Sequence, residues 1–202
     1  MTPPSPGRHD RERIVSVAVD LLDRVGLPDL TMRRLAGELD VQASALYWHF
    51  SSKQDLLAAV ADRILERPLP PSPPGAGPDD RLLTVARGIR DALLACRDGA
   101  EVVLSTAAMR RGASRAHDAI VDALPGVDAR NAPAATAILQ FILGHTNLVQ
   151  QRMHAESHGA AAEHDGAAAD AVVFDLGIRM LGAGLRGEAA SAVSPATADS
   201  RA

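Results

Sequence analysis

The sequence predicts an all-α fold, divided into a small N-terminal helical unit and a larger helical domain. Apolar residues recur every three or four positions through most of the chain, which is the mark of helices with one buried face. No stretch of useful length alternates apolar with polar residues, so strands are not expected. The Pro- and Gly-rich segment 68–78 cannot be helical and separates the two parts.

Bulk properties narrow the classes. The chain has 202 residues and 47% apolar side chains, enough to bury a core without covalent staples. Its net charge is -4, and residues 1–67 carry nine basic against ten acidic side chains. A nucleic-acid surface must therefore arise from local placement rather than overall charge. The single cysteine, Cys96, excludes an intramolecular disulfide framework and fits a reducing cytoplasm. The N-terminus from Met1 to Gly7 lacks the apolar stretch of a signal peptide, and no apolar run reaches the ~18 residues of a membrane span. Cytoplasmic location with no membrane partner is the expectation.

Residues 1–9 are Pro-rich and expected to be disordered. A first helix starts near Asp10, with Ile14, Val17, Ala18, Leu21 and Leu22 inward, and stops at Gly26 before Pro28. Thr31 can cap a second helix whose buried stripe is Leu35, Ala36 and Leu39. After the break at Asp40-Val41-Gln42, a third helix begins near Ala43 and runs through the aromatic residues that follow. Ser52, with Asp55 three residues on, resembles a capping box opening a fourth helix that ends near Arg67. Two short helices across a three-residue turn fit a helix-turn-helix. The same periodicity also suits a plain helical cluster.

Beyond the break, Asp79 and Asp80 open a helix reaching about Arg97, with charges that complement its dipole. Shorter helices are expected over Ala100–Ala107 and Ser114–Leu124, then a long one over Ala129–His154. Residues 155–167 read as a loop. A last helix spans Ala168–Leu185, and the tail 187–202 is expected to be disordered.

Aromatic residues are scarce: three Phe, one Tyr and one Trp. Tyr47, Trp48 and Phe50 nevertheless sit together, just before Lys53, the only lysine. From Leu30-Thr31-Met32-Arg33-Arg34-Leu35-Ala36 through Ala45-Leu46-Tyr47-Trp48-His49-Phe50-Ser51-Ser52-Lys53 to Leu56-Leu57, the chain resembles a TetR-family transcriptional regulator, closest in pattern to the tetracycline-repressor-like subgroup. Weaker echoes follow at Cys96-Arg97-Asp98-Gly99-Ala100, at Phe141-Ile142-Leu143-Gly144 and at Phe174 with Gly177. The resemblance implies a helix-turn-helix DNA-binding domain over 10–67, a linker over 68–78 and a ligand-binding and dimerisation domain over 79–186.

By chemistry, Leu46 and Phe50 can face inward and hold the third helix. Small Ala43, Ser44 and Ala45 allow close approach to the major groove, and Gln42 and Arg33 can read base edges. By resemblance, Thr31, Arg33, Ser44, Tyr47, Trp48, His49 and Lys53 match positions that contact operator DNA, with Lys53 as a phosphate clamp.

A head this small implies a homodimer on a palindromic operator. The expected dimer surface pairs Ala134, Ala135, Ile138, Leu139 and Ile142 with Val172, Val173, Leu176, Met180 and Leu181; the same residues can also close the core, and both roles are expected in part. A repressor of this kind is released by a small organic effector. Candidate ligand contacts are Ser105, Thr106, Met109, Gln140, His145, Asn147, Gln150 and Gln151. Val103 stands where the tetracycline repressors place a metal-binding histidine, Ala107-Ala108 replaces their Arg-Pro, and Leu148-Val149-Gln150-Gln151 lacks their glutamate. The effector is thus expected to be a largely apolar molecule, neutral or cationic, other than magnesium–tetracycline.

No cofactor and no metal site is expected: His154, His158 and His164, with Glu156 and Glu163, read as a solvated loop. No catalytic fingerprint occurs, so an enzyme is not expected. The competing reading is a helical partner-binding module that kept the head and lost specific DNA binding.

Overall fold

The computed structural model describes residues 10–126, 129–157 and 166–193. Its first four helices are α1 (Arg11–Val25), α2 (Met32–Glu38), α3 (Ala43–Tyr47) and α4 (Lys53–Leu65). Asp10, Thr31 and Ser52 each accept the backbone N–H three residues on, at 2.8, 3.1 and 3.1 Å, and so satisfy donors that α1, α2 and α4 would leave unpaired. Gly26, at φ 80°, ends α1 and donates its N–H to the Leu22 carbonyl. That left-handed geometry favours a residue without Cβ. One expectation is corrected here: α3 stops at Tyr47 instead of running through the aromatic residues. The N–H groups of His49 and Phe50 both turn back to the Leu46 carbonyl, tightening the chain toward the Ser52 cap.

The rest comprises α5 (Pro78–Leu94), α6 (Gly99–Ala108), α7 (Ser114–Ala123), α8 (Asn131–Ser157) and α9 (Ala167–Val193). No helix forms between Leu65 and Pro78, where Leu69 packs on the core. Both long helices run past their expected ends. The Ala-rich stretch Glu188–Ala192 has high helix propensity and meets no proline before Pro195, so α9 continues into the segment expected to be disordered. Residues 1–9, 127–128, 158–165 and 194–202 lie outside the described part, and with them His158, Glu163 and His164.

Packing follows the apolar stripes. In the head, α1 packs on α4 and α2 on α3. In the second domain α5, α6 and α7 all pack against α8. Helix α4 also packs on α6, so one element touches both parts. Ala135, Ile138, Leu139 and Ile142 are all buried within the single chain. Of the two roles expected, these four residues take that of closing the core, against which α5, α6 and α7 pack on α8. On the two long helices, the large apolar side chains left exposed among the described residues are Leu148 and Met153 of α8 and Val172, Val173, Leu176 and Met180 of α9.

Candidate nucleic-acid interface

Helix α3 has one anchored side and one bare side. Leu46 and Phe50, four residues apart, are each 1% exposed and join the core. Ser44, Tyr47 and Trp48 fall at i, i+3 and i+4 and all face out. Tyr47 is 53% exposed and Trp48 is 90% exposed, so neither ring serves the core. Exposing the only Trp leaves a large apolar area in water. Ala43 and Ala45 are half-buried, leaving little bulk above the backbone. Gln42 precedes the helix with its amide unused for capping. Thr31 is exposed but spends its hydroxyl oxygen on the α2 cap.

Charge is distributed unevenly on this side. Arg24 pairs with Glu38 at 2.7 Å and Arg34 with Asp29 at 3.6 Å. Among the described residues, Arg33 and Lys53 have no acidic partner, so their charge is available to a ligand. Lys53 is the first residue of α4, where helix dipole and ammonium both favour an anion.

The α3–α4 turn is fixed by residues outside the motif. Arg11 of α1 donates to the His49 carbonyl at 2.6 Å, and its guanidinium lies 4.2 Å from the centre of the Phe50 ring. Ser51 donates to the Asp55 carboxylate, which Arg111 of the α6–α7 turn also reaches. Sequence reasoning missed Arg11 and Arg111, and no local pattern signals contacts at such separations.

Two further joints tie head to second domain. Asp98, buried and in the left-handed conformation at φ 56°, accepts the Leu27 N–H at 2.7 Å and lies 3.4 Å from His154 of α8. Beside it, the Arg97 N–H donates to Asp23 at 2.7 Å. Near the other end of α6, the Ala113 N–H donates to Asp62 of α4 at 3.1 Å. Cys96 is buried near Asp23 and Asp98, and burial pushes its thiol well above the usual range, so it stays protonated and unreactive.

The eight candidate ligand contacts do not converge. Thr106 is fully buried and donates back to the Val102 and Val103 carbonyls, both at 3.0 Å. Ser105 does the same to Val102 at 2.9 Å. Gln150 is buried and fully used: it accepts from the Ala100 N–H at 2.9 Å and donates to the Leu93 and Cys96 carbonyls at 3.2 and 2.9 Å. It closes the α5–α6 turn. Gln151 reaches Glu101 at 3.3 Å on the surface, and Met109 is an exposed C-cap. His145 sits between the Phe141 and Phe174 rings, at 5.8 and 5.3 Å between centroids, and burial lowers its pKa. One buried atom of His145 (Nδ1) and one of Asn147 (Oδ1) have no partner among the described residues. Gln140 alone lines the cavity found between α6, α7 and α8. Val103, at the position of the missing metal ligand, is fully buried.

Residues 14–60 match the family model for bacterial regulatory proteins of the tetR family, and residues 70–176 match the model for the tetracyclin repressor-like C-terminal domain. The chain belongs to the TetR family. It is 46% identical over 95 residues to the tetracycline repressor protein class A from transposon 1721 of Escherichia coli, covering 46% of this chain and 44% of that protein. The class D repressor of Escherichia coli is 42% identical over 101 residues, covering 49% of this chain and 46% of that protein. These matches span less than half the length of those curated relatives.

Solved relatives are covered more fully. Mycobacterium smegmatis BioQ superposes with a TM-score of 0.74 at 35% identity, over 88% of this chain and 98% of that one. BioQ bound to its natural double-stranded DNA operator gives 0.70 at 34%, over 87% and 97%. A TetR variant from Acinetobacter baumannii AYE in complex with minocycline gives 0.69 at 28%, over 88% and 96%. This TetR-family chain thus belongs with regulatory proteins rather than enzymes, and no helix among its described residues is long and apolar enough to cross a membrane.

Proposed function

We propose that the protein is a ligand-responsive repressor that binds a palindromic operator as a homodimer and is released by a small organic effector other than magnesium–tetracycline. The observation that carries DNA binding is the bare outer side of α3: exposed Ser44, Tyr47 and Trp48 are held by buried Leu46 and Phe50, with Arg33 and Lys53 alongside, neither with an acidic partner among the described residues. Thr31, Arg33, Tyr47, Trp48, His49 and Lys53 position the head on the phosphate backbone. Gln42, Ala43, Ser44 and Ala45, with Arg33, meet base edges. The likeness to operator-bound BioQ supports this reading.

Dimerisation is supported by the exposed large apolar side chains that α8 and α9 share, Leu148 and Met153 on one and Val172, Val173, Leu176 and Met180 on the other. A second copy is the occupant that suits it, because a two-fold pair of heads matches a palindrome. The exclusion of magnesium–tetracycline rests on Val103 and Ala107-Ala108, whose side chains cannot hold a metal, and on the lack of a glutamate in Leu148-Val149-Gln150-Gln151.

Fluorescence anisotropy with duplex DNA from the gene's own upstream region tests the reading. Specific binding should weaken steeply with salt, losing roughly a thousandfold between 50 and 200 mM if about six phosphates are contacted. Absent or salt-insensitive binding would favour the partner-binding module. Release of that DNA by low-micromolar tetracycline with magnesium would overturn the effector exclusion.

A further inference from the structure

The stretch that carries the exposed aromatic rings has little to hold it locally. Helix α3 has five residues, too few to persist alone. Beyond it the N–H groups of His49 and Phe50 share the Leu46 carbonyl, both at 3.0 Å, and the next capped turn starts only at Ser52. Beside this stretch runs a groove of about 780 Å³ between α1, α4 and the α6–α7 turn. Val15, Phe50, Ser51 and Asp55 line it, so close packing does not fix the turn on that side.

Arg11 stands at the edge of this groove and bridges to the turn. It is the first residue of α1, and the Asp10 cap with buried Ile14 and Val15 fixes where it starts. Its guanidinium donates to the His49 carbonyl at 2.6 Å and lies 4.2 Å from the centre of the Phe50 ring. A charged donor makes the stronger kind of carbonyl bond, and a planar guanidinium can stack on a ring at the same time. Among the described residues Arg11 has no acidic partner, so the carbonyl and the ring are what hold it.

The carbonyl and the ring belong to the two residues joined by one peptide, that between His49 and Phe50. Tyr47 and Trp48 stand just before it, 53% and 90% exposed, and Lys53 opens α4 four residues after His49. A rotation of that peptide moves the rings relative to Lys53, while buried Leu46 stays in place.

We propose that Arg11 is a positioning residue for sequence reading. It fixes the His49–Phe50 peptide, and with it the directions in which Tyr47, Trp48 and His49 meet the duplex, without itself contacting DNA. Arg11 belongs to the head, so this brace travels with α3 when the head moves. The role in reading rests on the DNA-binding reading of α3; the brace itself does not.

The test compares the full chain with Arg11→Met, which keeps the apolar cover on Phe50 and removes charge and donors. Two probes are used: duplex DNA from the gene's own upstream region, and a shuffled duplex of the same length and composition. Arg11→Met should lower affinity for the upstream duplex about tenfold and for the shuffled one under about twofold, with the salt slope on the shuffled duplex unchanged. Arg11→Lys, which keeps a donor for the carbonyl, should restore most of the lost preference. Trp48 is the only Trp, so its fluorescence reports this turn in the free protein. In Arg11→Met the fast part of its anisotropy decay should grow about twofold. Equal loss on both duplexes, with the slope reduced by about one, would make Arg11 a phosphate contact and overturn the proposal. An unchanged Trp48 decay overturns the brace, even where DNA binding is intact. A parent protein that prefers neither duplex overturns the repressor reading, and the role of Arg11 in reading falls with it, whatever Trp48 shows.

Discussion

Three of the head's four helices, α1, α2 and α4, begin at a residue whose side-chain oxygen closes the first turn; in the second domain α5, α6 and α7 have no such cap. Helices α6 and α7 start instead from Asp98 and Ala113, both left-handed and both bonded to the head. Three of the head's helices are thus started by their own sequence neighbours, while the α3–α4 turn is held by Arg11 and, through Asp55, by Arg111. Those of the second domain are fixed by distant partners: Gln150 for the α5–α6 turn, Asp62 for the α6–α7 turn. The three capped helix starts do not depend on distant partners, whereas the α5–α6 and α6–α7 turns can shift when one of their long-range bonds changes.

The largest effect should come from disrupting what joins two heads. Leu176→Asp, on the exposed face of α9, should yield a monomer by sedimentation and lower operator affinity at least about a hundredfold, while helical content is kept. A dimer that survives this change would place the contact elsewhere.

Gln150→Ala separates the domains next. It strands the Ala100 N–H and the Leu93 and Cys96 carbonyls in the core, at a cost of about 2–4 kcal/mol in denaturant unfolding. Its neighbour variant Gln151→Ala should cost under about 0.5 kcal/mol, because its partner Glu101 is reached at the surface.

In the head, Lys53→Ala should leave stability nearly unchanged and weaken binding to every duplex about tenfold, with the salt slope reduced by about one. Ser44 substitutions should instead alter which bases are preferred. Equal loss on all sequences from both changes would erase the proposed division between positioning and reading.

The smallest effect concerns pH. His145 has its pKa lowered from 6.5, chiefly by burial, with Asp170 opposing and Arg90 and Arg152 adding to the effect. Below that ordinary value the unfolded chain takes up a proton that the folded chain resists. Stability is therefore present above about pH 6.5 and lost as pH falls toward the lowered value. Melting temperatures at pH 7.5 and 5.5 should differ less in His145→Gln than in the parent protein. An unchanged difference would show that His145 is not the group responsible.

The head was largely legible because its information is local: Asp10, Thr31 and Ser52 announce helix starts, and the L-Y-W-H-F stretch names its own buried and exposed sides. What stayed illegible even there was Arg11 clasping the His49 carbonyl, since nothing near either residue records the pairing. In the second domain, helix positions could be read from apolar spacing, but polar roles could not. Thr106 and Gln150 look like ligand contacts on an apolar helix and turn out to satisfy backbone groups. His117 and Thr136 were not singled out, because their proximity exists only once α7 lies on α8.

On the proposed reading, paired copies of this head read a defined sequence with the bare side of α3. Selection of bound duplexes from a random pool by the full-length protein tests it most directly. The expected outcome is enrichment of a palindrome with half-sites about one helical turn apart, and a different half-site when Ser44 is replaced. Recovery of unenriched DNA, or of a single unrepeated site, would contradict it.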